Sequence, residues 1–462
     1  MHVPYKWLVA TAFVFGLFME LLDMTVLNTA LPALGREFGV DASGLQWLVS
    51  GYLISLAIFI PASGWIADRF GARRAFGFAV AVFTGASLLA ASAGSLEVLT
   101  AARFLQGIGG GLLTPVGTAM LFRAFPPEER AKASAVLAIP SALAPTLGPV
   151  LGGWLVDAVS WRWIFYLNLP VGIAALLFVV FALRDDDEPG VAGRFDAAGF
   201  VLAGVSLTGL LYGLDRGPSA GWTDPLVLIC VLGGLVLGAL LVVIELRKEA
   251  PLIDLRLLRD RSFRLGNLIM ATATGAMMGG MFLVPLLLQQ QLGMSATASG
   301  LVTACQALGM AAVMPLANWL YNRVGPRPML IVGILGAGLG NLAFLTVDAD
   351  SSVWLLRLIM FGIGTAMGLN MIPLQASTFA TISAEATARA SSLFSTSRQI
   401  ASAAGVAVVA SLLSAQGANL AGFHHTFLVT AGIAVIGILF AWRVRRDDVA
   451  VTARPKSLEE AV

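Results

Sequence analysis

Residues 61–74 read PASGWIADRFGARR, and residues 315–328 read PLANWLYNRVGPRP. Laid on one another, the two stretches share Pro, Trp, Arg, Gly and Arg at one constant offset, the offset that carries Pro61 onto Pro315. The same offset carries Arg103 onto Arg357, the two basic residues that the sequence buries inside apolar runs. A match that recurs at one offset marks a duplicated unit. The fold question is therefore what kind of unit repeats.

The 462 residues are 58% hydrophobic and 12% charged, with a net charge of +2 and a mean hydropathy of +0.84. That composition lies outside the range of water-soluble domains and predicts a polytopic membrane protein. Apolar runs of spanning length fall near residues 7–33, 45–66, 75–94, 98–122, 134–156 and 163–183. A pair follows at 197–214 and 225–245, then six more at 265–290, 298–320, 328–347, 352–375, 395–415 and 424–443. Backbone groups in hydrocarbon must pair within their own segment, and the short alternating strands of a barrel are missing, so the runs read as helices.

The expected architecture is all-α: a six-helix bundle over 1–184, linkers and two additional helices over 185–262, a second six-helix bundle over 263–444 and a tail at 445–462. Duplicated helical halves in a membrane are a transporter design, with substrate handled near the midplane. Only Arg36, Arg162 and Arg216 fall on the side opposite the termini, so the positive-inside rule predicts cytoplasmic ends. The first run contains two acids and lacks a small-residue cleavage site, so it reads as a retained helix.

Several functions are excluded. The basic residues form no stripe with interleaved aromatics, which argues against a nucleic-acid partner. Cys230 and Cys305 sit inside apolar runs and read as packing residues, and His2, His424 and His425 make no metal set, the adjacent pair reading as solvated residues of an outer loop. There is no nucleophile and base constellation and no GxxxxGK[ST], so neither an enzyme nor an ATP-driven pump is expected, and no cofactor. A proton gradient is the expected energy source.

The chemistry concentrates in FMELLDMTVLNTALP, residues 18–32, which holds the two acids deep inside a span, Glu20 and Asp23. Their i, i+3 spacing puts them on neighbouring faces of one helix. Each carboxylate in a low dielectric calls for a proton or a cation, and two so close favour one shared proton. Arg103 stands at a depth on span four comparable to that of Asp23 on span one, and its guanidinium can reach the acid. A helix-anchoring ion pair is the alternative role. Asn28, Gln46, Gln106, Asn267, Asn370 and Gln375 are polar residues inside spans and candidates to line a path, with Arg357. MATATGAMMGGMF, residues 270–282, adds soft side chains such as Met278 that adapt to many ligand shapes, although most methionines at helical spacing face lipid or packing.

Four motifs in order resemble the major facilitator superfamily, and within it the fourteen-helix drug:proton antiporters. LDMTVLNTALP (22–32) looks like that group's span-one signature, GWIADRFGARR (64–74) the loop motif after span two, RFLQGIGGG (103–111) the arginine motif of span four, and PTLGPVLGG (145–153) the antiporter motif of span five. The resemblance implies export of lipophilic, cationic or amphipathic compounds against protons by alternating access, from a bacterial inner membrane; a monomer is the expected unit. It implies proton coupling at Asp23 with Arg103, and Glu20 as a second proton site or a contact for cationic cargo. It also implies a conformational latch at Gly64, Asp68, Arg69, Gly71 and Arg73, and a hinge or seal at Pro145, Gly148, Pro149, Gly152 and Gly153. Asn322 stands where the first loop copy has Asp68, so only that first copy is expected to lock fully. The rival reading is the same fold moving a lipid, fatty acid or small metabolite, and Arg357 leaves room for an anion.

Overall fold

The computed structural model describes all residues except 1–3, 41–44, 127–128, 130–131, 134–135, 137–143, 145–146, 149–150, 157, 185–193, 249–250, 384, 418 and 445–462, and the side chains of eight more, among them Asn28, Gln46 and Asn322. Among the described residues there is no strand, and thirteen helices are long and apolar enough to cross a membrane. The expected fifth span, 134–156, falls largely outside the described residues.

The helices are α1 (Tyr5–Phe38), α2 (Gln46–Phe70), α3 (Ala72–Ala91), α4 (Leu96–Ala124), the single turn α5 (Trp163–Tyr166) and α6 (Asn168–Ala182). The inserted pair is α7 (Ala197–Ala220) and α8 (Pro225–Arg247). Then follow α9 (Arg261–Leu286), α10 (Ala296–Val324), α11 (Pro326–Ala343), α12 (Val353–Thr378), α13 (Thr387–Gln416) and α14 (Leu420–Ala441). Their starts carry the signals that satisfy free backbone donors. Asp196, Asp224, Asp260, Ser295, Ser352 and Asn419 each accept from a backbone N–H in the first turn of the helix that follows. His424 and His425 belong to α14 rather than to an outer loop, and His424 Nε2 lies 3.0 Å from the Val347 carbonyl.

The duplication seen in the sequence is present in the backbone. Gly71 separates α2 from α3 at φ 85°, and Gly325 separates α10 from α11 at φ 79°. Both turns need the left-handed region that glycine enters without penalty. In α4, glycines bring other backbones close: a Cβ on Gly107 would sit 2.5 Å from the Tyr52 carbonyl, and one on Gly109 would sit 2.8 Å from that of Ala79. α2 and α3 thus pack on two faces of α4 at backbone distance, as small-residue contacts allow.

The chain divides into two compact units. One comprises Met1–Ala124, Pro140–Leu255 and Ala384–Ile400; the other comprises Phe125–Ile139, Arg256–Ser383 and Ala401–Val462. The inserted pair belongs to the first unit. Within it, α7 lies along α2 through Trp47 stacked on Tyr212, Phe59 against Phe200 and Trp65 against Phe195 at 4.8 Å between ring centroids. Ser206 Oγ donates to the Gly234 carbonyl across the α7–α8 hairpin at 2.7 Å. Leu226, Ile229, Leu232, Leu235 and Val236 of α8 remain exposed, a surface suited to lipid. At the base of the hairpin, Lys248 pairs with Asp196 and with Glu245, and Glu245 accepts from the backbone N–H of Ile253 at 3.0 Å.

Candidate functional site

Asp23 sits in the middle of α1 and is 3% exposed, so its charge needs partners within the protein. It has three. One carboxylate oxygen is ion-paired with Arg103 of α4. The other accepts from Asn168 Nδ2 of α6 at 2.8 Å and from Gln106 Nε2 of α4 at 3.1 Å. Gln106 in turn accepts from Arg103 at 2.8 Å and donates to Ser87 Oγ of α3 at 2.7 Å. Arg103 Nε also donates to the Leu48 carbonyl, and the guanidinium lies 4.4 Å from the centroid of the Tyr52 ring. Three helices, α1, α4 and α6, therefore meet on one carboxylate, α3 joins through Ser87, and α2 covers the arginine from the other side.

Glu20, one turn earlier on α1, is 5% exposed and takes a different partner, Thr114 Oγ1 of α4 at 2.7 Å. It forms no ion pair among the described residues. A third guanidinium lies inside a span and stands in electrostatic range of Glu20, that of Arg398. By sequence Arg103 and Arg357 stand out as the basic residues inside spans, while Arg398 lies three residues into the run 395–415; α13 in fact begins at Thr387, which places Arg398 about 16 Å along the helix rather than at the edge of the span. Hydropathy misses this because the first turns of α13 are rich in Ser and Thr.

The loop residues also make specific contacts. Asp68 accepts from Arg123 at 3.2 Å, and Arg389 stands 3.5 Å away on its other oxygen. Arg389 also reaches Asp254, just after α8, at 3.5 Å. A Cβ on Gly64 would meet the backbone of Ala388 and Arg389 at 3.2–3.3 Å, so α2 and the start of α13 pack closely there. Arg73 donates to the carbonyls of Val179 and Val180 and finishes the last turn of α6. Arg69 is exposed. Gly148 abuts Thr25 of α1 so closely that a Cβ would overlap the threonine hydroxyl; Gly152 is buried, and a Cβ on Gly153 would meet open space. Pro145 and Pro149 lie outside the described residues, as do the side chains of Asn28 and Gln46.

The other candidates belong to the second unit. Asn267 and Asn370 are buried, Gln375 is partly buried, and the amide oxygen of each has no hydrogen-bond partner among the described residues. Met278 is half-buried on α9. Arg357 lies in the second turn of α12, 4.8 Å from the ring of the exposed Trp354, and joins no carboxylate among the described residues. Sequence reasoning passed over Asn168, Ser87, Thr114, Tyr52 and Arg398. Asn168 carries the signal that singled out Asn28, an amide inside a span. The hydroxyls carry none, since Ser and Thr inside helices commonly bond their own backbone.

Long apolar helices packed around a buried acid and guanidinium mark a multi-pass membrane protein with a charged site among its spans. A sequence profile of the Major Facilitator Superfamily matches residues 13–406 and 265–462. A multidrug resistance protein B homolog of Mycobacterium tuberculosis is 37% identical over 89% of this chain and 76% of its own length. The putative multidrug resistance protein MdtD of Cronobacter sakazakii is 34% identical over 97% of both chains. Among solved structures, the human organic anion transporter MFSD10 (TETRAN) aligns with a TM-score of 0.71 at 18% identity, over 95% of this chain and 100% of that one. The proton:xylose symporter XylE aligns with a TM-score of 0.66 at 16% identity, over 97% and 99%. The chain belongs to the Major Facilitator Superfamily and is a transporter, not an enzyme, with multidrug resistance proteins among its relatives.

Proposed function

We propose that this transporter is a drug:proton antiporter that exports lipophilic, cationic or amphipathic compounds while protons enter. The observation that carries the reading is the Asp23 cluster: a buried carboxylate bound by Arg103, Gln106 and Asn168, beside a second buried carboxylate at Glu20. In a transporter with no other energy source in its sequence, an acid whose charge is matched by one guanidinium is a natural proton switch. Protonating Asp23 cancels its attraction for Arg103 and shifts the relative stability of any two states that differ in that contact. Glu20 supplies a negative charge to match a cationic cargo. The multidrug resistance relatives support the cargo class. The site serves the two sides of a bacterial inner membrane in turn, with both chain ends in the cytoplasm and the monomer as the working unit.

Purified protein in liposomes with an imposed pH gradient tests this. A lipophilic cation should move against its gradient with wild type, Asp23→Asn should abolish the coupling to pH, and Glu20→Gln should reduce it. Full gradient-driven transport by Asp23→Asn would sink the proposal.

A further inference from the structure

Three polar groups of the first unit lie beside the Asp23 cluster without joining it. The register between α2 and α13 is fixed by Gly64 against Arg389 and by Ser392 Oγ, which donates to the carbonyls of Ile60 (2.8 Å) and Pro61 (3.2 Å). The two helices run in opposite directions. Six residues on from Ser392, Arg398 is therefore level with the part of α2 that holds Ser55 and Leu56, where Gly107 and Gly111 of α4 press closest. On α4, the Tyr52 hydroxyl lies over Gly110, 2.9 Å from where a Cβ would be, and Thr114 holds Glu20 four residues further on. Positions four apart share a helix face and are about 6 Å apart. An acid, a phenol hydroxyl and a guanidinium thus occupy one level of the membrane.

Two of the three are unsatisfied. The Tyr52 hydroxyl belongs to a side chain 1% exposed and has no hydrogen-bond partner among the described residues. Arg398 is open on its surface and makes no ion pair or hydrogen bond among the described residues, although Glu20 is in electrostatic range. A buried hydroxyl without an acceptor and an open guanidinium inside a span are both expensive unless something meets them.

We propose that Glu20, Tyr52 and Arg398 form a head-group site for an amphiphile that carries both a cationic group and a carboxylate. The carboxylate accepts from the Arg398 fork and the Tyr52 hydroxyl, and the cation faces Glu20. Charge balance selects the zwitterion. A plain cation meets Arg398 and a plain anion meets Glu20, so either leaves a like charge opposed in a low dielectric, whereas a dipolar head group leaves none. The inference rests on the export reading, in naming the cargo that meets Glu20.

The test uses two dyes that differ in one methyl ester: rhodamine 110, an aminoxanthene cation with a free carboxylate, and rhodamine 123, its ester. Binding to the full chain in nanodiscs is read by fluorescence anisotropy, and movement is read separately in liposomes with a pH gradient. Wild type should bind rhodamine 110 about tenfold more tightly, the effect of one charge-assisted hydrogen bond. Arg398→Gln should erase that preference by weakening rhodamine 110 and, with the like charge gone, leaving rhodamine 123 bound at least as tightly as by wild type; Arg398→Lys should keep most of the preference, and Tyr52→Phe should weaken rhodamine 110 by about threefold. Equal affinity of wild type for the two dyes overturns the site and needs no variant to fold. Equal weakening of both dyes by Arg398→Gln overturns it too, pointing to a structural role. Gradient-driven movement of rhodamine 123 alongside rhodamine 110 binding that ignores Arg398 overturns the site and leaves export intact. Binding that depends on Arg398 without gradient-driven movement of either dye overturns proton-coupled export and supports the site.

Discussion

Asp23 and Arg103 show how one buried pair commits its surroundings. Removing only the cation leaves a carboxylate in a low dielectric, so Arg103→Met should lower stability by about 3–5 kcal/mol, seen as a lower melting temperature of the purified protein in detergent. Adding Asp23→Asn should restore part of that loss, because the stranded charge is gone; purely additive effects would contradict the pairing. Glu37, at the end of α1, is the contrasting solvent-facing case. Hydrogen bonds from Arg162 (2.9 Å) and then Trp161 (3.0 Å) hold its carboxyl below the ordinary 4.5. A lowered folded value stabilises the protein at pH above the unfolded value, and the contribution fades as pH falls through the lowered one. Glu37→Gln should thus be less stable than wild type at neutral pH, by at most about 1 kcal/mol after screening, and indistinguishable from it in strong acid. A difference that persists in acid would show another cause.

Helix α4 holds its neighbours through glycine, and its tolerance should follow the neighbours' freedom to move. Gly109→Ala places a Cβ 2.8 Å from backbone atoms of Ala79 and Phe83, which have no rotamer to change. It should destabilise the protein by about 1–3 kcal/mol, whereas Gly85→Ala on α3, with open space around it, should be neutral or slightly stabilising. Thermal unfolding of the two variants side by side checks this, and equal behaviour would mean that α3 and α4 are not held at backbone distance. The pattern GIGGG announces close contact in general. Which glycine faces which backbone is decided by the rotation of α4 about its axis, and hydropathy leaves that open because nearly every residue of α4 is apolar or small.

On the scale of the molecule, the inserted pair is tied into the first unit at both ends: by aromatic contacts along α2, and by Asp254, which reaches the same Arg389 that faces Asp68. The pair is therefore more than a lipid-facing attachment. Asp254→Asn and Arg389→Gln should each slow transport by up to about fivefold, the loss of a partly exposed ion pair. The double variant should be no slower than Arg389→Gln alone if the two act through one contact. Independent, multiplying effects on the initial rate would refute the tether.

The sequence alone determined the membrane class, the helical architecture and the duplication, and it singled out Glu20, Asp23 and Arg103 as charges inside spans. Each of these rests on a rule that operates along the chain: hydrocarbon demands paired backbone groups and penalises charge, so spans and buried ions stand out in one dimension. Tertiary structure decided the rest. It gave Asn168 and Gln106 to Asp23 and Thr114 to Glu20, and it brought Arg398 to the level of Glu20 from the far end of the chain. Asn168, Thr114 and Tyr52 are ordinary span residues by composition, and Arg398 reads as the flank of a span until the true start of α13 is known. Their roles come from distance and orientation between helices, which depend on packing across the bundle and leave no trace in local sequence.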